Sequence, residues 1–313
     1  MILVTGGAGF IGSNIVKGLN NEGIDDILIS DNLSNGVKHK NLNKIKFKDY
    51  IDKTDLDLDD FFGGNKVEAV FHQGACSSTT ETDGKYMMKN NYEYTKNIFK
   101  ACQKHKVRLF YASSASVYGN GDKGFKENEV CEYPLNVYAF SKYQFDRYFN
   151  ANSSGLEAQT VGLRYFNVYG PQENHKGKMA SVAFHLFNQI QNGETMKLFE
   201  GSADIKRDFI YVDDVVSVNM FFFFNREISG IFNCGTGKAE SFCEIAYALS
   251  EIYPHAKLEY IPFPEHLKGK YQKFTEGDIS KLREAGYDKP FVSLNSGTKK
   301  YAEILKNSGG YIV

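Results

Sequence analysis

Tyr138 and Lys142 are the residues whose types and spacing first suggest chemistry. They stand four positions apart in "NVYAFSK", so a helix there would place both side chains on one face. A phenol with a pKa of about 10 is a poor base at neutral pH, but a neighbouring ammonium group favours its ionised form. Ser114, in "YASSASVYG", follows a predicted strand and could hydrogen-bond the same substrate oxygen. Because such spacings are common on solvated helix faces, the interpretation depends on the surrounding elements.

A glycine-rich turn stands near the start of the chain. The string "TGGAGFIG" places Gly6, Gly9 and Gly12 between a predicted strand and a predicted helix. Glycine allows the tight turn and lets the backbone and the helix N-terminus approach a pyrophosphate. The order strand, glycines, helix predicts a dinucleotide-binding site.

The choice of dinucleotide is left open by the sequence. Asp31 ends the second predicted strand, where an acidic side chain typically binds a ribose 2′-hydroxyl and selects NAD. Asn32 is neutral, however, and Lys38 and Lys53 could neutralise the 2′-phosphate of NADP. The segment "HQGACSS" at 72–78 follows another strand and has small residues where the backbone could pass close to the cofactor.

The elements that must position these residues alternate between strand and helix. Short apolar runs are separated by helix-patterned segments such as 86–105 and 138–152. This βαβα alternation predicts an α/β fold with a parallel, doubly wound sheet buried on both faces. The run "MFFFF" at 220–224 is too short to span a membrane and predicts a fully buried helix.

The pattern changes after Pro171, and strand-like runs return near 207–234. We therefore predict a Rossmann-like nucleotide-binding domain over residues 1–169 plus about 208–235. A smaller, discontinuous α/β substrate-binding domain would comprise about 170–207 plus 236–313.

Composition excludes several classes of protein. The chain has 37 basic and 38 acidic residues, a net charge of −1 and a pI near 6.7, which does not suggest a nucleic-acid or membrane-surface partner. Five scattered cysteines without a C-x-x-C pair predict reduced thiols in a cytoplasmic protein and no metal site. No run approaches the roughly 18 apolar residues that a membrane span needs.

Taken together, these motifs resemble the extended short-chain dehydrogenase/reductase family, on "TGGAGFIG", Asp31, "SSASVYG", "YAFSK" and "RYFNVYGP". The resemblance extends over essentially the whole chain. It implies that Tyr138 is the base that deprotonates a sugar hydroxyl while the adjoining carbon gives a hydride to nicotinamide. Lys142 would lower the pKa of Tyr138 and bind the nicotinamide ribose, and Ser114 would orient the oxygen.

The residues after Ser114 bear on the reaction type. Dehydratases of that family carry an Asp-Glu pair there, whereas this chain has Ala115 and Ser116. An epimerase needs no such pair, because it oxidises its substrate and returns the same hydride to the other face. The resemblance therefore implies an isomerase that recycles its cofactor.

Longer strings narrow the resemblance to the members of the family that act on ADP-activated heptose. They are "HQGACSSTTETDGKYMMKNNYEY", "RYFNVYGPQENHKGKMASVAFH", "LFEGSADIKRDFIYVDDV", "GIFNCGTGKAESF" and "YIPFPEHLKGKYQKFT". They imply inversion at C6″ of ADP-D-glycero-β-D-manno-heptose, which supplies heptose for the lipopolysaccharide core. The resemblance also implies one tightly bound NADP per subunit, with NAD as the alternative. It implies that the protein is a homo-oligomer, namely a pentamer.

The resemblance also assigns a second acid/base. C6″ lies on an exocyclic arm, and its oxygen moves when the arm turns, so one base placed for one epimer is misplaced for the other. The resemblance implies that Lys176 is the acid/base on the opposite side of the substrate from Tyr138. From its spacing alone, Lys176 would be interpreted as a solvated loop lysine.

Further site residues are carried over from the same resemblance. The cofactor residues are Gly6, Gly9, Phe10, Ile11, Gly12, Asp31, Asn32, Lys38, Lys53, Gln73, Gly74, Ala75, Cys76, Ser77, Asn90, Lys142, Val168 and Lys176. The substrate residues are Asn167, Lys178, His185, Phe199, Glu200, Gly201, Ser202, Arg207 and Tyr271. Lys178 departs from the family pattern, which has serine there.

Some of these residues have alternative interpretations. Arg207 has a guanidinium group suited to a diphosphate, but its spacing fits equally an ion pair with Asp204 or Asp208. His185 lies on an apolar helix pattern, where a structural histidine is more usual. For the whole chain, the alternatives are another nucleotide-sugar epimerase or dehydrogenase, and a non-catalytic NADP-binding regulator.

Overall fold

The computed structural model describes residues 1–265 and 272–312, which form one large and two small sheets. The strands are β1 (Ile2–Thr5), β2 (Ile27–Asp31), β3 (Asp49–Asp52), β4 (Ala69–His72), β5 (Arg108–Ser114), β6 (Thr160–Tyr165), β7 (Asn167–Tyr169), β8 (Met196–Phe199), β9 (Lys206–Tyr211), β10 (Gly230–Cys234), β11 (Ala239–Ser241) and β12 (Leu258–Ile261).

The helices alternate with these strands along most of the chain. They are α1 (Phe10–Asn21), α2 (Leu58–Gly64), α3 (Gly84–Met87), α4 (Tyr94–His105), α5 (Val137–Ala151), α6 (Val182–Gln191), α7 (Val212–Phe224), α8 (Phe242–Ile252), α9 (Ser280–Glu284) and α10 (Leu294–Ser308). A π-helical turn over Met88–Glu93 joins α3 to α4. Among the described helices, none is both long and apolar enough to cross a membrane.

The large sheet has the strand order β10-β6-β5-β4-β1-β2-β3, with every neighbouring pair parallel. The order reverses between β1 and β4, which is where open α/β sheets bind their ligands. The Rossmann-like, doubly wound fold predicted from the sequence is confirmed. The polar edge strand β3 has no apolar run and was not predicted.

Side chains alternate across this sheet and build a core on each face. Ile2 and Val4 belong to the cluster formed with α1 and α7, whereas Leu3 belongs to the cluster formed with α2, α4 and α5. Because successive side chains of a strand point to opposite faces, the continuous apolar runs of the sequence are buried on both sides. The expectation for "MFFFF" holds for Met220, Phe222 and Phe223 but is wrong for Phe224, which ends the helix 55% exposed.

The smaller sheets have a core of their own. β9 lies between β11 and β7, and β8 pairs with β12. Side chains from α6, α8 and α10 form one buried cluster with Tyr169, Phe209 and Tyr211. The span 208–235 is thus divided, because β9 belongs to a small sheet and β10 to the large one. The domain boundaries given above stay a prediction.

A buried ion pair fixes α5 against the large sheet. Asp146 accepts hydrogen bonds from the hydroxyls of Tyr111 and Ser113 at 3.0 and 2.8 Å and from Nε of Arg164 at 2.9 Å. Arg164 also pairs with Glu132 at 2.5 Å, and its side chain is 1% exposed. Helix α5 therefore has a fixed place above the ends of β5 and β6.

We expect Asp146→Asn to lower the free energy of unfolding by about 3 kcal/mol, since it leaves a buried guanidinium without its main counter-charge. Urea denaturation measures this. Glu251→Gln, which breaks the exposed pair with Lys299, is the control and should leave the midpoint nearly unchanged. Equal midpoints for both variants would contradict the role given to Asp146.

Candidate functional site

The turn between β1 and α1 packs tightly against neighbouring backbone, which is possible only because glycines stand at its close contacts. Gly6 has φ +67°, and a Cβ there would lie 2.6 Å from the backbone nitrogen of Gly74. A Cβ on Gly12 would lie 2.1 Å from the carbonyl oxygen of Gly6. Gly9 caps α1 without a side-chain hydrogen bond, and the first turn of α1 has no acidic residue. Its free N–H groups suit a pyrophosphate.

Asp31 lies at the far side of this turn with its carboxylate already engaged. Its two oxygens accept from the backbone N–H groups of Ala8 at 2.9 Å and Asn32 at 2.7 Å, and from Lys38 Nζ at 2.6 Å. The Lys38–Asp31 pair is nearly buried, with side-chain exposures of 14% and 9%. Lys38 thus neutralises the acidic residue that ends β2.

One pocket joins many of the predicted cofactor residues. Lys53 donates to Asn90 Oδ1 at 2.9 Å across it. The pocket is lined by the predicted cofactor residues Gly6, Asp31, Asn32, Lys38, Lys53, Gly74, Ala75, Cys76 and Asn90. It is also lined by Thr5, Ser30, Tyr86 and Tyr94, which sequence reasoning missed. The glycine cradle, the free helix end and the two lysines fit a dinucleotide phosphate chain.

Ser114, Tyr138 and Lys142 come together where β5 ends and α5 begins. Asn136 caps α5 by accepting from the N–H of Ala139 at 2.8 Å, which sets the first turn that carries Tyr138. Burial raises the pKa of the Tyr138 phenol, and a hydrogen bond with Ser114 opposes that rise. A neighbouring positive charge is therefore needed to make Tyr138 a base near neutral pH.

Supplying that charge is the role that the family resemblance implies for Lys142. Its Nζ donates to the carbonyl oxygen of Ala112 at 2.7 Å, and the residue is 6% exposed. Burial lowers the pKa of Lys142 to about 8, with Asp146 opposing the shift. Near neutral pH the lysine is still charged.

Lys176 and Lys178 lie in a 3₁₀ segment, Asn174–Met179, that is broken at Gly177 (φ +53°). Lys176 Nζ is 5.0 Å from the centre of the Phe10 ring and 3.8 Å from Glu173 Oε2. Burial lowers the pKa of Lys176. Lys178, beyond the break, is exposed. The chain therefore turns Lys176 toward α1 and the cofactor side and leaves Lys178 at the surface.

Most of the predicted substrate residues that the structure describes lie around the small sheets. Asn167 and Val168 are in β7, His185 is on α6, and Phe199 ends β8 with Glu200 and Gly201 in the turn that follows. Ser202 is buried and donates to the carbonyl oxygen of Phe199 at 2.6 Å.

Arg207, on β9, is 5% exposed and donates to the carbonyl oxygens of Lys206 and Gln272. Tyr271 lies outside the described residues. The roles of the residues around the small sheets in binding a substrate stay predictions.

The comparisons with known proteins agree with this geometry. The sequence profile of the NAD dependent epimerase/dehydratase family matches residues 2–235. The chain belongs to this family. An ADP-L-glycero-D-manno-heptose-6-epimerase of Brachyspira hyodysenteriae is 71% identical over 318 aligned positions, which cover 100% of both proteins. The resemblance drawn from the sequence is confirmed.

Solved structures of epimerases share the fold. The ADP-L-glycero-D-manno-heptose-6-epimerase of Helicobacter pylori is 32% identical, with a TM-score of 0.85, covering 98% of this chain and 96% of that one. A UDP-glucose 4-epimerase of Thermus thermophilus in complex with NAD is 27% identical, with a TM-score of 0.80, covering 98% and 99%. A nicotinamide cofactor thus accompanies this fold in a solved relative.

Asn91 is a site residue of this epimerase-family protein that sequence reasoning missed. It lies in the π-helical turn, and its side chain exchanges two hydrogen bonds with the backbone of Cys76, at 2.8 and 3.0 Å. It also donates to Ser141 Oγ at 3.0 Å, and Ser141 donates to the carbonyl oxygen of Tyr138. One amide thus joins the loop after β4 to α5, the helix that carries Tyr138 and Lys142. The string "KNN" gave no signal to separate Asn91 from the predicted Asn90.

We expect Lys142→Met to stabilise the cofactor-free protein at pH 7 by up to about 3 kcal/mol, although it removes a predicted catalytic group. The folded pKa of Lys142 is about 8 against 10.5 unfolded, so its charge destabilises the fold fully below pH 8 and progressively less as the pH rises toward 10.5. Thermal unfolding at several pH values should show the gap between variant and wild type closing above pH 8. A gap that widens with pH would refute this.

Proposed function

We propose that the protein is an ADP-glyceromanno-heptose 6-epimerase, which interconverts ADP-D-glycero-β-D-manno-heptose and ADP-L-glycero-β-D-manno-heptose and so supplies heptose for the lipopolysaccharide core. The observation that carries the proposal is the 71% identity, over the full length of both chains, to the Brachyspira enzyme of that name. The partly buried lysine that packs on Phe10 at the start of α1, Lys176, supports it. A homo-oligomer, a pentamer by resemblance, is part of the proposal.

The chemistry requires two acid/base groups. The hydrogen on C6″ is not acidic, so inversion proceeds through transient oxidation to a 6″-ketone. A nicotinamide cofactor held by the glycine turn and the pocket beside Asp31 would supply the hydride acceptor for C6″ and the source of the returning hydride. Tyr138, with Ser114 and Lys142 beside it, takes the hydroxyl proton of one epimer. After the exocyclic arm has rotated, Lys176 gives a proton to the oxygen on the opposite side.

NADP is the proposed cofactor. Asp31, the residue that would favour NAD, has both oxygens occupied by Ala8, Asn32 and Lys38. Its negative charge is balanced, and Lys53 adds another positive charge to the same pocket. A 2′-phosphate is attracted to such a pocket rather than repelled by it.

The test of the function is NMR of the purified protein with ADP-D-glycero-β-D-manno-heptose in deuterated water, without added cofactor. We expect C6″ to invert and to carry no deuterium, because the hydride returns without meeting solvent. Deuterium at C6″ would rule out hydride return. Net formation of a ketone or acid with added NADP would favour a dehydrogenase, and binding without turnover would favour a regulator.

Tyr138→Phe and Lys176→Met should each slow epimerisation at least about 100-fold, the scale for loss of a general acid or base, while cofactor binding persists. Steady-state kinetics and fluorescence titration measure both effects. Tyr247→Phe and Lys306→Met, on the outer faces of α8 and α10, are matched controls that should keep the wild-type rate. A normal rate for Lys176→Met would return that residue to the solvated-loop interpretation.

Lys38→Ala should weaken NADP binding at least about tenfold while changing NAD binding much less, since it removes a cation and frees the Asp31 carboxylate. Titration of the cofactor-free variant with each dinucleotide measures the ratio. Equal losses for NADP and NAD would contradict the proposed role of Lys38.

A further inference from the structure

Lys176 has a buried carboxylate as its partner. Glu173 precedes it by three residues, its side chain is 0% exposed, and its Oε2 is 3.8 Å from Lys176 Nζ. The backbone N–H of Lys176 also donates to the carbonyl oxygen of Glu173 at 2.9 Å. A carboxylate so far from solvent must have a partner or role that offsets its desolvation.

Glu173 is held by more than Lys176. Its Oε2 accepts from the backbone N–H of Ser181 at 2.7 Å, and its Oε1 accepts from Ser181 Oγ at 2.5 Å. Ser181 in turn caps α6 by accepting from the N–H of Phe184. The carboxylate is thus anchored to a helix end, and its position does not depend on Lys176.

The backbone that enters the loop is fixed as well. Gln172 is 1% exposed and has φ +80°, a strained value for a residue other than glycine. Its backbone N–H donates to the carbonyl oxygen of Gly310 at 2.8 Å. Its side-chain amide donates to the backbone carbonyl oxygen of Asn41 at 2.9 Å. Contacts from two distant segments therefore impose the conformation that turns Glu173 inward.

The charge of Glu173 affects the pKa of Lys176. Burial lowers the pKa of Lys176, and the charge of Glu173 opposes that shift. Burial lowers the pKa of the neighbouring His175 to about 4, with Lys38 and Lys176 adding to the shift and Asp31 opposing it, so His175 is neutral. Tyr301, from α10, lies beside Glu173, and its pKa is raised by burial and by that carboxylate.

We propose that Glu173 is a positioning residue for the second acid/base: its anchored carboxylate stabilises the ammonium form of Lys176 and directs it toward the substrate oxygen on the side opposite Tyr138. This inference rests on the proposed function of Lys176. In either direction of the reaction, one of Tyr138 and Lys176 must be deprotonated to take a proton, and the other must be protonated to give one. Without the carboxylate, Lys176 holds its proton less tightly, so the working pH range moves down.

The test is Glu173→Gln, which keeps the shape and removes the charge. We expect kcat to fall about 10- to 100-fold, the scale for a misplaced catalytic group, and the pH profile of kcat/KM to move to lower pH by about one unit. Glu173→Asp keeps the charge and should keep the position of the pH profile, even if it is slower. In a Lys176→Met background, Glu173→Gln should have no further effect on rate, because the two residues act as a unit.

Asn174→Ala is the control for loosening the loop. It removes the hydrogen bond from Asn174 to the carbonyl oxygen of Gly309 but no charge, so the pH profile should stay in place. An unshifted profile for Glu173→Gln, or the same shift for Asn174→Ala, would overturn the proposal. If Glu173→Gln does not fold, the Glu173→Asp profile decides, and a downward shift there overturns it. A normal rate for Lys176→Met would instead refute the acid/base role proposed for Lys176.

Discussion

The buried pair of Asp146 and Arg164 is the interaction on which the catalytic half of the molecule depends. It joins α5 to β5 through Tyr111 and Ser113, and to β6 through Arg164. The guanidinium continues to Tyr118, whose hydroxyl donates to Asn233 on β10. One network thus connects three neighbouring strands with the helix that carries the phenol and the ammonium group. Because its members are buried, any movement of α5 would leave a charge without a partner.

A second set of contacts joins the cofactor pocket to the loop that carries Lys176. Asn41 is 1% exposed and donates to the carbonyl oxygens of Ala8 and Gln172, at 3.0 and 3.1 Å. Asn35 donates to the carbonyl oxygen of His175. The segment Gly36–Leu42, which carries Lys38, therefore packs directly on the segment that carries Lys176. The lysine that balances Asp31 and Lys176, the proposed second acid/base, therefore belong to one packed unit.

The elements whose conformation depends mainly on neighbouring residues in the sequence could be predicted. The glycine turn, the buried parallel strands and the helix over Tyr138 and Lys142 follow from steric limits and from periodicity, and each was predicted. The edge strand β3 was missed because its residues, "DYID", have no apolar pattern. The exposure of Phe224 was missed because only tertiary packing shows where α7 leaves the core.

The partners of the catalytic groups were not predictable in the same way. Asp146 and Arg164 are 18 residues apart, and Glu173 meets Ser181 across a turn with positive φ at Gly177. No periodicity encodes such contacts. The sequence could single out Lys176 only through family resemblance, and it gave no reason to choose Glu173. Long-range pairing of buried charges is determined by the assembled fold rather than by the segment in which a residue stands.

The partial exposure of Lys176 has a consequence for the catalytic cycle proposed here. When one epimer has been converted into the other, the tyrosine holds a proton that the lysine has lost, so the free enzyme differs from the form that began the turnover. It must be reset by exchange with water before it can act on the same epimer again. The Lys176 side chain is 23% exposed, and Tyr138 keeps part of its surface open, so both ends of the relay reach solvent. Lys176, next to the break at Gly177, is packed on Phe10 and still partly exposed, so it can regain its proton from water between turnovers without leaving its place.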